Sequence, residues 1–128
     1  MTEQQRKQKR EREREYLRYN FLRIWQRRYA HMKARAEGRS TNKSAAGGKL
    51  IITQEEFFAW CKSDDVIDVF LVMWSNWAQN GFRLWDAPSV DRIESDKGYT
   101  IDNIQWMPFA ENCRKNNRNP IDHSEEVW

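Results

Sequence analysis

The sequence predicts an α+β fold in which N-terminal helices lead into a β-hairpin closed by a further helix. Three observations carry this. From about Thr2 to Glu37 no proline or glycine interrupts a chain in which Leu17, Phe21, Trp25, Tyr29 and Met32 recur at spacings of three or four, the period of an amphipathic helix. Two short β-branched or aromatic runs, Ser89–Ile93 and Ile104–Met107, flank a polar loop that contains Gly98, the pattern of a hairpin. Pro108 follows at once, where its fixed φ and missing N–H suit the first turn of a helix.

Taken in order, residues 1–37 read as one basic amphipathic helix, polar up to Tyr16 and docked from there on. Gly38 ends it, and RSTNKSAAGGK makes residues 38–50 a flexible linker of small and polar side chains. Residues 51–85 are helical. Thr53 and Glu56 have capping-box spacing, with Ile52 and Phe57 flanking as a hydrophobic staple, so a helix starts at Gln54 and runs to about Lys62. Ser63 or Asp64 caps the next helix, whose Val66, Val69, Phe70, Met73 and Trp77 form an apolar stripe ending at Asn80–Gly81. The hairpin and a closing helix, about Pro108 to Asn116, make a unit over residues 86–117. Residues 118–128 show no periodicity and read as an irregular tail. The predicted order is α-α-α-β-β-α.

A chain of 128 residues with 39% apolar content supports one modest core. No apolar run approaches the eighteen residues of a membrane span, and the N-terminus lacks the order of a secretory signal. A soluble, cytoplasmic protein with no membrane partner is expected. Cys61 and Cys113 form no CxxC pair, which predicts a reducing compartment, no disulfide and no structural zinc. Trp25, Trp74, Trp77 and Trp106 fall on or beside apolar stripes and are read as core; Trp60, Trp85 and Trp128 stay open between core and base stacking.

The net charge of +3 is unevenly spread. Residues 1–37 hold twelve Lys and Arg against five Glu, a balance of +7, which leaves −4 for the rest. A basic arm on a mildly acidic body suits a polyanion, because phosphate contacts release condensed counterions. The same charges also suit a solvated helix, since Glu11 and Glu15 can meet Arg14 and Arg18 at helical spacing.

The hairpin segment PSVDRIESDKGYTIDNIQW gathers Asp91, Arg92, Glu94, Asp96, Asp102 and Asn103 in one loop and its margins. Phosphodiester hydrolysis needs a metal to offset developing charge and a base to activate water. Carboxylate and amide oxygens are what Mg²⁺ or Mn²⁺ prefer, and one or two suffice. An antiparallel hairpin would bring Asp91 and Asn103 near each other, and the next helix would add Asn112. Turn chemistry alone explains Glu94, Asp96 and Asp102.

Residues Ser89–Lys115, read as S-V-D-R-I-E-S-D-K-G-Y-T-I-D-N-I-Q-W-…-E-N-C-R-K, resemble the HNH endonucleases, in particular a small phage-encoded branch with a "DRI…KGY…(D/E)N(I/V)xW" signature. Residues 22–85 resemble its helical leader more loosely. The resemblance implies a ββα-metal unit holding one divalent ion, Mg²⁺ or Mn²⁺, against DNA, in host-cell cytoplasm if phage-encoded. Asp91 matches the acidic metal ligand. Asn103 matches the central Asn, which ligates metal or shapes the loop, and Asn112 stands at the place of the final His. Arg92 stands where the family has its general base.

Arginine stays protonated and cannot take a proton from water; Arg92 can bind phosphate through two parallel hydrogen bonds or steady Asp91. Another base, from Glu94, Asp96, Asp102, His31, His123 or bulk water, would then be needed, or catalysis is lost and binding kept. The implied catalytic set is Asp91, Arg92, Asn103 and Asn112, with Asp91 and Asn103 on the metal. Arg92, Arg23, Arg27, Arg28, Lys33, Arg114 and Lys115 would grip nucleic acid. DNA is the leading partner, with RNA or a host protein the alternatives. The rival to an endonuclease is a catalytically degenerate HNH scaffold that binds without cutting.

Overall fold

A computed structural model describes residues 1–38 and 47–116. Among these residues five α-helices, α1 (Glu3–Arg18), α2 (Phe21–Ala36), α3 (Gln54–Lys62), α4 (Asp64–Gln79) and α5 (Phe109–Lys115), accompany one antiparallel pair, β1 (Pro88–Arg92) and β2 (Ile104–Pro108). The fold is α+β and mostly helical. The predicted tail, with His123 and Trp128, lies outside the described residues, as do residues 39–46 of the predicted linker.

The single helix predicted for residues 1–37 is two helices. Asn20 adopts an extended conformation and caps α2, its Oδ1 accepting the Arg23 N–H at 3.2 Å. No proline or glycine marks the break; the gain is tertiary. Leaving the helix at Tyr19 sets its ring edge-on to Trp74 at 5.8 Å, and starting α2 at Phe21 sets that ring edge-on to Phe70 at 5.2 Å. The Arg18 carbonyl, released from helix pairing, accepts the Trp74 indole N–H at 2.7 Å. No residue of α1 is buried.

Helix α3 begins where the capping box places it, with the Thr53 and Glu56 side chains each serving the other's backbone N–H. Ser63 stands at the cap position of α4 but does not cap it, because its hydroxyl donates to the Trp60 carbonyl at 2.6 Å. The predicted α4 stripe is narrower than expected. Phe70 and Trp77 are fully buried, Val66 and Met73 are partly so, and Val69 is 51% exposed. Val69 lies at the stripe's edge, beside Val72, Met73 and Pro108 in an open apolar cleft. Gly81, at φ +76°, ends the helix as predicted.

Trp106, at the middle of β2, joins the helices into one core. Its indole stacks on Trp60 of α3 at 5.9 Å and meets Phe70 of α4 at 4.9 Å. Trp60 in turn stacks on Phe57 at 5.7 Å, and Trp25 of α2 reaches Phe70 at 5.6 Å. Such pairs add about 0.5–1.5 kcal/mol each beyond area burial. Trp25, Trp77 and Trp106 are core as predicted, Trp60 joins them, and Trp85 is 39% exposed.

In the hairpin Pro88 faces Pro108, Asp91 faces Gln105 and Arg92 faces Ile104. All five residues of β1 are buried, because α2, α4 and α5 all pack on this strand. The end of the predicted linker is paired: the Tyr99 N–H donates to the Leu50 carbonyl at 2.8 Å, and the Ile52 N–H donates to the Tyr99 carbonyl at 2.9 Å. Among the described residues no helix is long and apolar enough to cross a membrane.

Candidate functional site

The hairpin loop is built around Asn103. Its Oδ1 accepts the Glu94 N–H at 2.9 Å, and its Nδ2 donates to the Glu94 carbonyl at 3.1 Å and to the Gly98 carbonyl at 2.8 Å. One buried amide thus satisfies three backbone groups that have no ladder partner. Of the two roles open to Asn103, this geometry gives it the shaping of the loop.

Arg92 works on the same loop from the other strand. Its Nη1 donates to the Ser95 carbonyl at 2.6 Å and the Lys97 carbonyl at 2.9 Å, and the guanidinium lies 5.5 Å from the centre of the Tyr99 ring. The residue is 9% exposed. These contacts are internal: a loop with several carbonyls pointing inward needs a donor, and arginine supplies it in a fixed plane.

Asp91 is 2% exposed. Its Oδ2 accepts both the Gln105 side-chain N–H at 2.9 Å and the Lys115 ammonium at 2.7 Å. The same ammonium donates to the Arg92 carbonyl at 2.8 Å and the Ile93 carbonyl at 3.1 Å. Lys115, predicted to grip nucleic acid, neutralises the buried carboxylate. One turn earlier on α5, Asn112 donates to Ser89 Oγ at 3.2 Å and to the Val90 carbonyl at 3.3 Å, while its Oδ1 accepts from Asn116 at 2.9 Å. Helix α5 therefore clamps β1 through Asn112 and Lys115, the i and i+3 positions of one face.

The two residues of the predicted metal pair make separate contacts. Asp91 is opposite Gln105 in the ladder, and the Asn103 carbonyl accepts from Ile93, two residues further on. With Asp91 facing an ammonium and Asn103 turned into the loop, these donors as placed do not fit a shared divalent ion. Among the described residues no three His, Cys, Asp or Glu side chains come together in a form that could hold a metal. Comparison with protein-family profiles, characterised proteins and solved structures finds no significant match.

Among the predicted nucleic-acid contacts, Arg23, Arg27, Lys33, Arg114 and Lys115 are exposed. Arg28 is not. It is 5% exposed and its Nε donates to the Pro88 carbonyl at 2.6 Å, tying α2 to the start of β1. Burial first, then the neighbouring Arg27 and Arg35, pulls its pKa down to about 9. The signal for this was in the sequence, since position 28 lies four residues from both Ile24 and Met32 on the buried stripe of α2. His31 lines a small cleft between α2 and the hairpin unit, together with Arg35, Ser89 and Asn112; sequence reasoning named it only as a distant alternative base.

Proposed function

We propose that this chain is a nucleic-acid-binding protein on an HNH-like hairpin-plus-helix frame that holds a phosphate backbone without cutting it. The observation that carries the reading is a contrast in how charge is used. Asp91 and Arg92, the groups that would do chemistry, are spent on contacts inside the unit. The Lys and Arg side chains of residues 6–14 all stand in solvent on a helix that buries nothing. A helix of that kind adds no buried residue to the core, and its cations gain most from releasing counterions at a polyanion.

Binding of a fluorescent DNA duplex, followed by anisotropy against salt, tests this. A steep fall of affinity with salt is expected, with the slope becoming shallower when residues 1–15, which hold six Lys and Arg, are removed. An unchanged slope refutes the role of α1. A single-stranded RNA arm and a protein-only control separate the other partners.

An endonuclease is the second reading, favoured by one observation: His31 stands in the same cleft as Ser89 and Asn112, where an imidazole could serve as the base that Arg92 cannot be. Conversion of supercoiled plasmid with Mg²⁺ or Mn²⁺, blocked by EDTA and lost in both Asp91→Asn and His31→Ala, would establish it and overturn the non-cleaving reading.

A further inference from the structure

We propose that Lys115 is the resident cation of the Asp91 site and that its ammonium occupies a position built to take a hard divalent ion, Mn²⁺ or Mg²⁺, so that metal binds there only when the lysine is removed. An ammonium has three N–H donors, and here each has one oxygen: Asp91 Oδ2 at 2.7 Å, the Arg92 carbonyl at 2.8 Å and the Ile93 carbonyl at 3.1 Å. A carboxylate with two backbone carbonyls is a hard donor set, the kind that divalent main-group ions and Mn²⁺ take, with water completing the shell.

The backbone supplies a second, independent sign. In a regular strand successive carbonyls point to opposite sides, so those of Arg92 and Ile93 would diverge. They meet at one point because β1 ends at Arg92 and the chain bends there. That bend is held by the Asn103 contacts to Glu94 and by the Ile93 N–H donating to the Asn103 carbonyl at 2.8 Å. The converging oxygens are therefore set by the loop, not only by the lysine that uses them. Gln105 fixes Oδ2 from the opposite strand at 2.9 Å, so the carboxylate is oriented before any cation arrives.

A metal needs oxygens at about 2.0–2.2 Å, inside the space the ammonium fills, so the two cations exclude each other. Lys115 is joined to its position only through its own side chain, of which 32% is exposed. Its replacement by an uncharged residue of similar length leaves the oxygens behind and removes the competitor.

The test is Mn²⁺ binding followed by the loss of the free-ion EPR signal, for wild type, Asp91→Asn, Lys115→Met and the double variant. Wild type and Asp91→Asn are expected to bind equally, through weak surface sites alone. Lys115→Met is expected to gain one site with Kd on the order of 10⁻⁴–10⁻³ M, lost again in the double variant. A wild-type site that depends on Asp91, or a Lys115→Met protein with no added site, overturns the proposal. If Lys115→Met is unfolded in metal-free buffer, circular dichroism during MnCl₂ addition replaces the titration: refolding that wild type does not need and the double variant does not show supports the proposal, and its absence overturns it. The inference does not depend on what α1 binds, since removing residues 1–15 leaves these titrations unchanged.

Discussion

Replacing Gly98 by alanine tests the loop that holds the candidate site. A Cβ on Gly98 would lie 2.2 Å from the Leu50 carbonyl oxygen and 2.9 Å from the Leu50 nitrogen, both backbone atoms that no rotamer change can move. Relief requires the Leu50 segment to separate from the loop by about 1 Å, given ordinary van der Waals spacing. That breaks or stretches the two hydrogen bonds of Tyr99 with Leu50 and Ile52. At about 0.5–1.5 kcal/mol each they contribute about 1–3 kcal/mol, partly offset by the stiffer unfolded chain at about 0.4–1 kcal/mol. A net loss of about 1.3 kcal/mol follows, or roughly 4–7 °C in Tm for a domain of this size. Urea unfolding followed by tryptophan fluorescence measures it, with the slope unchanged. Gly81→Ala is the control: φ there is +76° but no atom lies within 4 Å, so its cost is conformational alone, about 1 kcal/mol. If Gly98→Ala is no less stable than Gly81→Ala, the close approach of Leu50 is not a real constraint.

Asn103→Ala removes three hydrogen bonds of the loop and leaves the Glu94 N–H without its partner, while the Glu94 and Gly98 carbonyls still accept from Lys97 and Thr100, and it is expected to cost about 2–4 kcal/mol; a thermal melt within 2 °C of wild type, roughly 0.5 kcal/mol by the same scaling, contradicts its loop role. Trp106→Ala removes the ring shared by Trp60, Phe57 and Phe70, for a loss of about 3–5 kcal/mol and of much of the near-UV circular dichroism. Cys61 and Cys113 are both fully buried, and burial pushes the Cys61 thiol well above its usual range. A thiol reagent at pH 8 should therefore label them only as fast as the chain unfolds, and immediate labelling would place them at the surface. The Thr100 hydroxyl, and then the backbone N–H, hold the Asp102 carboxyl below its ordinary 3.8. A depressed acid stabilises the fold above its unfolded pKa and loses that contribution as pH falls through the folded value. Carboxyl ¹³C titration should give a midpoint under 3.8, and one above it refutes the Thr100 contact.

Much of the fold was legible because local chemistry and tertiary packing agree. Thr53 and Glu56 cap α3 reciprocally with no help from elsewhere, and the hairpin follows from its two short β-branched or aromatic runs and from the polar loop between them. The break at Asn20 was not legible, since nothing local forbids a helix there. It is fixed by rings on α4, some fifty residues away in sequence. Within the site, residue types pointed to the right neighbourhood but not to their partners. Asp91, Arg92, Asn103, Asn112 and Lys115 all belong to the hairpin-plus-helix unit. Spacing alone could not show that Arg92 turns toward Ser95 and Lys97, or that Lys115 reaches back to Asp91. Long flexible cations have many reachable acceptors, and only burial of the whole strand selects among them.

The hydrogen bond from the Gly48 N–H to the Ala36 carbonyl, at 2.9 Å, gives the chain a seam. It brings Ala36, the last residue of α2, and Gly48, two residues before Leu50, together through backbone atoms alone. The end of α2 and the Leu50 edge that pairs with Tyr99 are therefore carried as one piece, and a pull on Gly48 would reach the hairpin loop through main-chain hydrogen bonds rather than through any side chain.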